Sequence, residues 1–230
     1  LFNTDWYIDQ MKRAAYDAAP IPSSMTEDKY RQGTRQFLFF QGEDKGYIEV
    51  NTVVEFISSD EDKHKTFIRG ELRNFCPTKK FKITIDKDDV ISKGVVPESY
   101  RDRIVDEIKW ELKGDGIEKN QMMVLDILAN FNWERPIYFA FTVGGDNFMG
   151  LEKYFQLEGL AYRFVPYLAN SKDGQPGEIA TDIMYDNLIN KFKWGNMQDP
   201  NVYLDETNMR MTMNFRNNFA RLSDALFDKG

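Results

Sequence analysis

Histidine and cysteine each occur once in these 230 residues, as His64 and Cys76. A single cysteine excludes an internal disulfide and any cysteine-based zinc site. A Ser-His-Asp or Cys-His centre would have to be built on His64. That residue lies between two lysines in the charged stretch 58–66, SSDEDKHKT, which reads as a solvated loop. No apolar run approaches the roughly 18 residues that a membrane helix needs, and nothing near the start reads as a signal peptide. The chain opens Leu1-Phe2-Asn3 without a methionine, as a fragment or a processed form would. Missing targeting or membrane segments therefore say nothing about a parent protein. Glycine-rich phosphate loops, internal repeats and low-complexity tracts are also lacking. So is basic charge: a net charge of −7 and a pI near 5.0 argue against a general nucleic-acid surface.

Apolar residues make up 42% of the chain, enough for a core without disulfides or metal. The length suits one large domain or two small ones. The stretch 120–166 is the centre of the expected fold. Val124, Ile127, Leu128 and Phe131 fall on one helix face at i, i+3, i+4 and i+7. Residues 137–143 carry no charge and are rich in aromatic and β-branched side chains, which predicts a strand buried on both faces. A Gly144-Gly145 break follows, then a second short helix, then a strand over 160–168. The expectation is an α/β fold: a mixed, mainly parallel sheet flanked by helices, with 137–143 as its central strand and a C-terminal helical segment. An α/β soluble domain is expected over 1–200 and a C-terminal helix over 201–230.

Taken in order, Asn3 or Thr4 can cap a helix running to about Tyr16, with Ile8, Met11 and Ala15 inward. Leu1-Phe2 reads as the tail of a strand, residues 30–35 (YRQGTR) as a turn, and 37–40 as a short strand. Val53, Val54 and Ile57 suit a helix over 52–58 capped by Asn51, and their β-branching suits a strand nearly as well. Residues 81–85 alternate as a half-buried strand. Residues 98–106 read as a helix, and 108–112 as a strand turning at 114–116. Thr181 is expected to cap a helix through about Lys193, with Met184, Leu188 and Phe192 on one face and Gly195 closing it. Asp205 opens the longest helix, with Met211, Phe215, Phe219, Leu222 and Leu226 as its stripe.

Few residues suggest chemistry. Asp86, Asp88 and Asp89 lack the spacing of a calcium loop and read as a turn or helix cap. Gly144, Gly145, Asp146 and Asn147 follow the expected central strand, at the end where open α/β sheets bind ligands. If a small ligand binds, this is the expected place, with Asp146 and Asn147 reaching sugar hydroxyls or a cation. The plainer reading is two glycines making a tight turn. Trp133, Trp194 and Tyr185 could stack on a sugar ring, although aromatics at helix ends usually pack in the core. Met209, Met211 and Met213 read as packing. No catalytic residue, metal ligand or cofactor is assigned.

A resemblance adds to this. The segments NTDWYIDQMKR (3–13), YRQGTR (30–35), DILANFNWERPIYFAFTVG (126–144), GLEKYFQLEGLAYRFVP (150–166), TDIMYDNLINKFKWGN (181–196) and NFRNNFARL (214–222) together resemble one family. It comprises uncharacterised bacterial multi-pass membrane proteins whose membrane half is similar to glycosyltransferase C-type protein O-mannosyltransferases. The resemblance implies a soluble extracytoplasmic region, on the periplasmic side of the inner membrane, that runs into tetratricopeptide-like helices. Residues 220–230 would then begin a helical-repeat pair. The catalytic acids would lie in the membrane half, so none is carried over. Implied partners are that membrane half and an acceptor protein or glycan. The expected function is a non-catalytic accessory domain. The alternatives are a self-contained α/β enzyme or ligand-binding module with a site near Asp146, and a spacer.

Overall fold

The computed structural model describes residues 1–14, 18–31, 33, 35–68 and 70–229. Its contacts divide the chain into two compact units, Leu1–Arg135 and Pro136–Gly230. The expected helix end at Tyr16, its inner residue Ala15, and Gln32 and Thr34 of the expected turn lie outside the described residues.

The first unit opens with helix α1 (Asp5–Met11), which buries Ile8. Leu1 and Phe2 form a turn before it, not a strand. Thr4 is the N-cap, but its hydroxyl bonds the Leu1 carbonyl at 2.7 Å and makes no cap bond. After α2 (Glu27–Tyr30) come strands β1 (Phe37–Phe39) and β2 (Ile48–Glu49). Helix α3 (Val50–Ser58) buries Val50, Val53, Val54 and Ile57, a spacing of i, i+3, i+4 and i+7. Burying that stripe outweighs the β preference of its valines. Strands β3 (Lys65–Ile68) and β4 (Glu71–Asn74) form an antiparallel hairpin, so the charged loop is shorter than expected.

Next come β5 (Lys80–Thr84), helix α4 (Lys87–Ser92), β6 (Glu107–Glu111) and β7 (Gly116–Glu118). The expected helix at 98–106 is a 3₁₀ turn, Glu98–Arg103. A three-stranded sheet has the order β2-β5-β6, with β2 parallel and β6 antiparallel to β5. Alternation puts Phe81 and Ile83 opposite Trp110 and Ile108 on the buried face, and the Phe81 and Trp110 rings stack at 5.5 Å. Helix α5 (Lys119–Asn130) starts in a capping box between Glu118 and Gln121. Its buried residues are Lys119, Met122, Met123, Leu125, Asp126 and Leu128. Val124 and Ile127, expected inward, are only half-buried: α5 is enclosed on most of its circumference, so one narrow stripe does not describe it.

Asp126 is fully buried. It accepts from the Ser24 amide at 2.9 Å, the Ser24 hydroxyl at 2.7 Å, the Met25 amide at 3.2 Å, Asn130 Nδ2 at 2.9 Å and the Ser23 hydroxyl. Residues 23–25 are thereby clasped to α5. Nearby, Lys119 of α5 is buried against Asp5 of α1, and Asn3 accepts from the Asn120 amide at 3.0 Å.

The second unit holds β8 (Tyr138–Ala140), β9 (Phe155–Leu157), β10 (Ala161–Phe164) and β11 (Glu178–Ile179), in the order β11-β9-β10-β8. Only the β11–β9 pair is parallel in this sheet. Two expectations are corrected. The segment 137–143 supplies an edge strand, with Tyr138 and Ala140 exposed and Phe139 half-buried. The sheets are small and mixed, and five of the seven strand pairings among the described residues are antiparallel. An uncharged run can still serve an edge, and Pro136 just ahead of this strand suits one. The fully buried strand is β9, where a helix was expected. Phe139, Phe148, Phe155 and Tyr162 form the aromatic core, with ring centroids 4.8–6.2 Å apart.

Helix α6 (Thr181–Tyr185) continues as a π-helix, Asp186–Lys191, and buries Met184 and Leu188. Thr181 makes no cap bond. Asp205 does cap helix α7 (Glu206–Phe227), accepting from the Asn208 amide at 2.8 Å. Asn218, Arg221 and Leu222 are its buried residues; Met211 and Leu226 of the expected stripe are exposed. Polar anchoring sets this face. Asn218 Nδ2 donates to the Gly159 carbonyl at 3.0 Å, and Arg221 Nε donates to Asp173 at 2.6 Å.

Two stability tests follow from the first unit. A Cβ at Gly116 would lie 2.4 Å from the Leu38 carbonyl and 2.6 Å from the Phe37 ring. Gly116→Ala must therefore part β1 from β7, at a cost of about 1–3 kcal/mol in urea unfolding. Asp126→Ala strands the Ser24 and Met25 amides without their acceptor, and should cost about 2–4 kcal/mol with loss of hydrogen-exchange protection at both. Unchanged exchange there would show that the clasp does not hold 23–25.

Candidate functional site

The turn after β8 places the expected site residues at the surface. Gly144, Gly145, Asp146 and Asn147 are exposed, and Gly145–Phe148 forms a 3₁₀ turn. The strand before them lies at a sheet edge. None of the four lines a cavity described below. Asp86 is a helix cap, accepting from the Asp88 and Asp89 amides at 3.0 and 3.1 Å, while Asp88 pairs with Arg101 and Asp89 with Lys93. His64 is half-buried, its ring 4.4 Å from that of Phe56, and its Nδ1 has no hydrogen-bond partner among the described residues. It is a packed side chain and not the solvated one expected. Cys76 is wholly buried, which pushes its thiol up to about 12 and keeps it protonated.

Sequence reasoning missed a polar sheet face in the second unit. Register aligns Glu178, Gln156, Arg163 and Tyr138 across the four strands, opposite the apolar row of Ile179, Leu157, Tyr162 and Phe139. Glu158, one residue beyond β9, joins the polar row. It accepts from Tyr138 Oη at 2.8 Å and Gln156 Nε2 at 2.7 Å, with Arg163 Nη1 at 3.6 Å. Tyr167 Oη donates to Gln156 Oε1. Gln156 and Glu158 are each only 9% exposed, while Tyr138 is 49% exposed. The period-two alternation Phe155-Gln156-Leu157-Glu158 was the available signal for a strand with one polar face.

The largest cavity described lies against the middle of α7. Phe192 ends the π-helix; Gly195 and Asn196 then take left-handed φ values of 56° and 64° and turn the chain back. This brings Trp194 over α7. Thr212, Phe215, Arg216 and Phe219 share one face of that helix at i, i+3, i+4 and i+7. The result is a cleft of about 740 Å³ with Phe192, Trp194, Phe215 and Phe219 as its aromatic walls. Trp194 lies 5.3 Å from Phe215 and 5.9 Å from Phe219, ring to ring. Lys193, Asn196, Gln198, Thr212 and Arg216 supply the polar rim. Of the three aromatics considered as stacking residues, Trp194 is the one in this cleft. Tyr185 is exposed, and Trp133 lines a separate hollow in the first unit with Phe131 and Asn132. Met209 and Met213 are exposed, so they are not the packing residues expected.

Burial, followed by the bond to Glu158, raises the Tyr138 phenol above its ordinary value near 10. The sign is that of an acid beside an anion: the carboxylate favours the protonated phenol. Ring-labelled tyrosine NMR should show Tyr138 ionising above the ordinary range. Glu158→Gln removes the negative charge and should move that titration down. No movement would mean that burial alone sets it.

The family model described as TMEM260-associated domain 2 matches residues 1–183. The polar sheet face falls inside the matched residues, and the aromatic cleft falls beyond them. Among curated proteins and among solved structures, none matches the chain. With about four-fifths of its length covered by that one match, the chain belongs to the TMEM260-associated domain 2 family.

Proposed function

We propose that this chain is an extracytoplasmic accessory domain of a membrane glycosyltransferase-like protein, standing on the periplasmic side of a bacterial inner membrane. In this reading it binds or positions an acceptor protein or glycan, and the chemistry belongs to the membrane half. The family match over residues 1–183 carries the proposal, because it ties the chain to a domain that accompanies a membrane protein. The sequence resemblance to a family whose membrane half is similar to protein O-mannosyltransferases supplies the reaction class. The aromatic cleft at Trp194 offers the larger binding surface. The exposed Asp146 and Asn147, beside Gly144 and Gly145, offer a shallower contact for sugar hydroxyls. Helix α7 is read as the first of a helical-repeat pair; its exposed Met209, Met213 and Phe227 are the surface that a second helix would cover.

The test compares the full-length protein in lipid with a version lacking this domain, supplying lipid-linked sugar and candidate acceptor proteins. Loss of transfer with the membrane half still folded is the expected result. Turnover by the isolated chain would overturn the accessory reading. Unchanged transfer after deletion would reduce the domain to a spacer.

A further inference from the structure

The cleft at Trp194 has a charge pattern that the rest of the chain does not share. The protein carries a net charge of −7, yet among the described residues no aspartate or glutamate lines this cleft. Lys193 and Arg216 do line it, and both are exposed. Neither makes an ion pair among the described residues. Among the described residues the one polar contact of Arg216 is a 3.9 Å approach to the Met213 sulfur. By contrast, Arg221, five residues further along the same helix, is spent on Asp173 and on the Pro176 and Gly177 carbonyls. The two cations at the cleft are therefore available to a ligand.

We propose that this cleft binds an acidic saccharide, with a sugar ring against Trp194 and its carboxylate on Lys193 and Arg216. The proposal rests on the recognition function proposed above and names the ligand class for it. A cleft of this size with apolar walls and a few polar groups is of the kind that encloses small ligands. Aromatic walls receive the C–H face of a sugar ring, and the amides of Asn196 and Gln198 can bond hydroxyls around it. The guanidinium of Arg216 offers a planar fork that fits a carboxylate. A neutral sugar would use the walls and leave both cations idle. An apolar peptide would desolvate the rim without bonding it.

The purified chain is titrated with tri-galacturonic acid, with neutral maltotriose and with citrate, following tryptophan fluorescence and heat. Trp194→Phe identifies the responding ring among the four tryptophans. The acidic trisaccharide should bind at least tenfold tighter than the neutral one and more weakly as salt rises. Arg216→Gln should weaken acidic binding about tenfold and leave neutral binding unchanged, with Lys193→Gln acting in the same direction. Both side chains are exposed, so the fold should survive, and circular dichroism checks this. Equal affinity for the two trisaccharides overturns the charge assignment. Citrate binding as tightly as the trisaccharide overturns the sugar assignment, and absence of binding overturns the proposal. If transfer in the full-length protein still depends on the domain, the accessory reading survives that failure.

Discussion

A charge taken out of water needs enough partners to replace what it lost, and in both units that requirement settles how the chain is joined. In the first unit it falls on Asp126. Its two oxygens take donors from Ser23, Ser24, Met25 and Asn130, so a segment about a hundred residues upstream is fixed against α5. Lys12 donates to the Ser23 hydroxyl at 3.0 Å and to the Met25 carbonyl, extending the network. Burial pushes the Lys12 ammonium below its ordinary value, and Asp126 and Asp9 oppose that shift. Together with Lys119–Asp5 and Asn3–Asn120, these contacts tie α1 and the 23–25 segment to one helix. The same rule in the second unit falls on Arg221 and Glu158, each buried and each given several partners.

Periodicity was the legible part of the sequence. The stripe of α3, the alternation of β5 and β6, and the Asp205 cap are all set by neighbours within a turn or a strand. Sheet position is not local. The run 137–143 looked central because it lacks charge, but an edge strand needs only one apolar side, and Phe139 supplies it. Direction failed for a related reason. A parallel sheet needs long crossovers, whereas β9 and β10 are joined by a three-residue loop that forces an antiparallel return.

The candidate sites were legible in part. Trp194 stood out as an aromatic, yet its partners come from α7, and only the left-handed pair Gly195 and Asn196 sets the angle at which they meet. The polar row of Glu178, Gln156, Arg163 and Tyr138 draws on four strands with no common spacing in the chain. Its charges were visible one by one, and their alignment required the register. The predicted turn at Gly144–Asn147 is a turn, but the strand before it is not the sheet's middle, so the argument from strand ends lost its premise.

Helix α7 joins the two kinds of constraint. Its C-terminal half is held through Asn218 and Arg221, whose partners are backbone carbonyls and one carboxylate. Those bonds fix the rotation of the helix about its axis. Fixing that rotation also determines where Phe219, between those two anchors, and Arg216, Phe215 and Thr212, within two turns before them, face, since each residue advances about 100°. The N-terminal half can then leave Met209 and Met213 exposed and still present one defined wall to Trp194. A binding surface requires side chains placed more accurately than solvent-facing apolar contacts can place them. Buried polar bonds at Asn218 and Arg221, next along the same helix, set that placement, so Phe215 and Phe219 face Trp194 while Arg216 is left out of the ion pairs among the described residues.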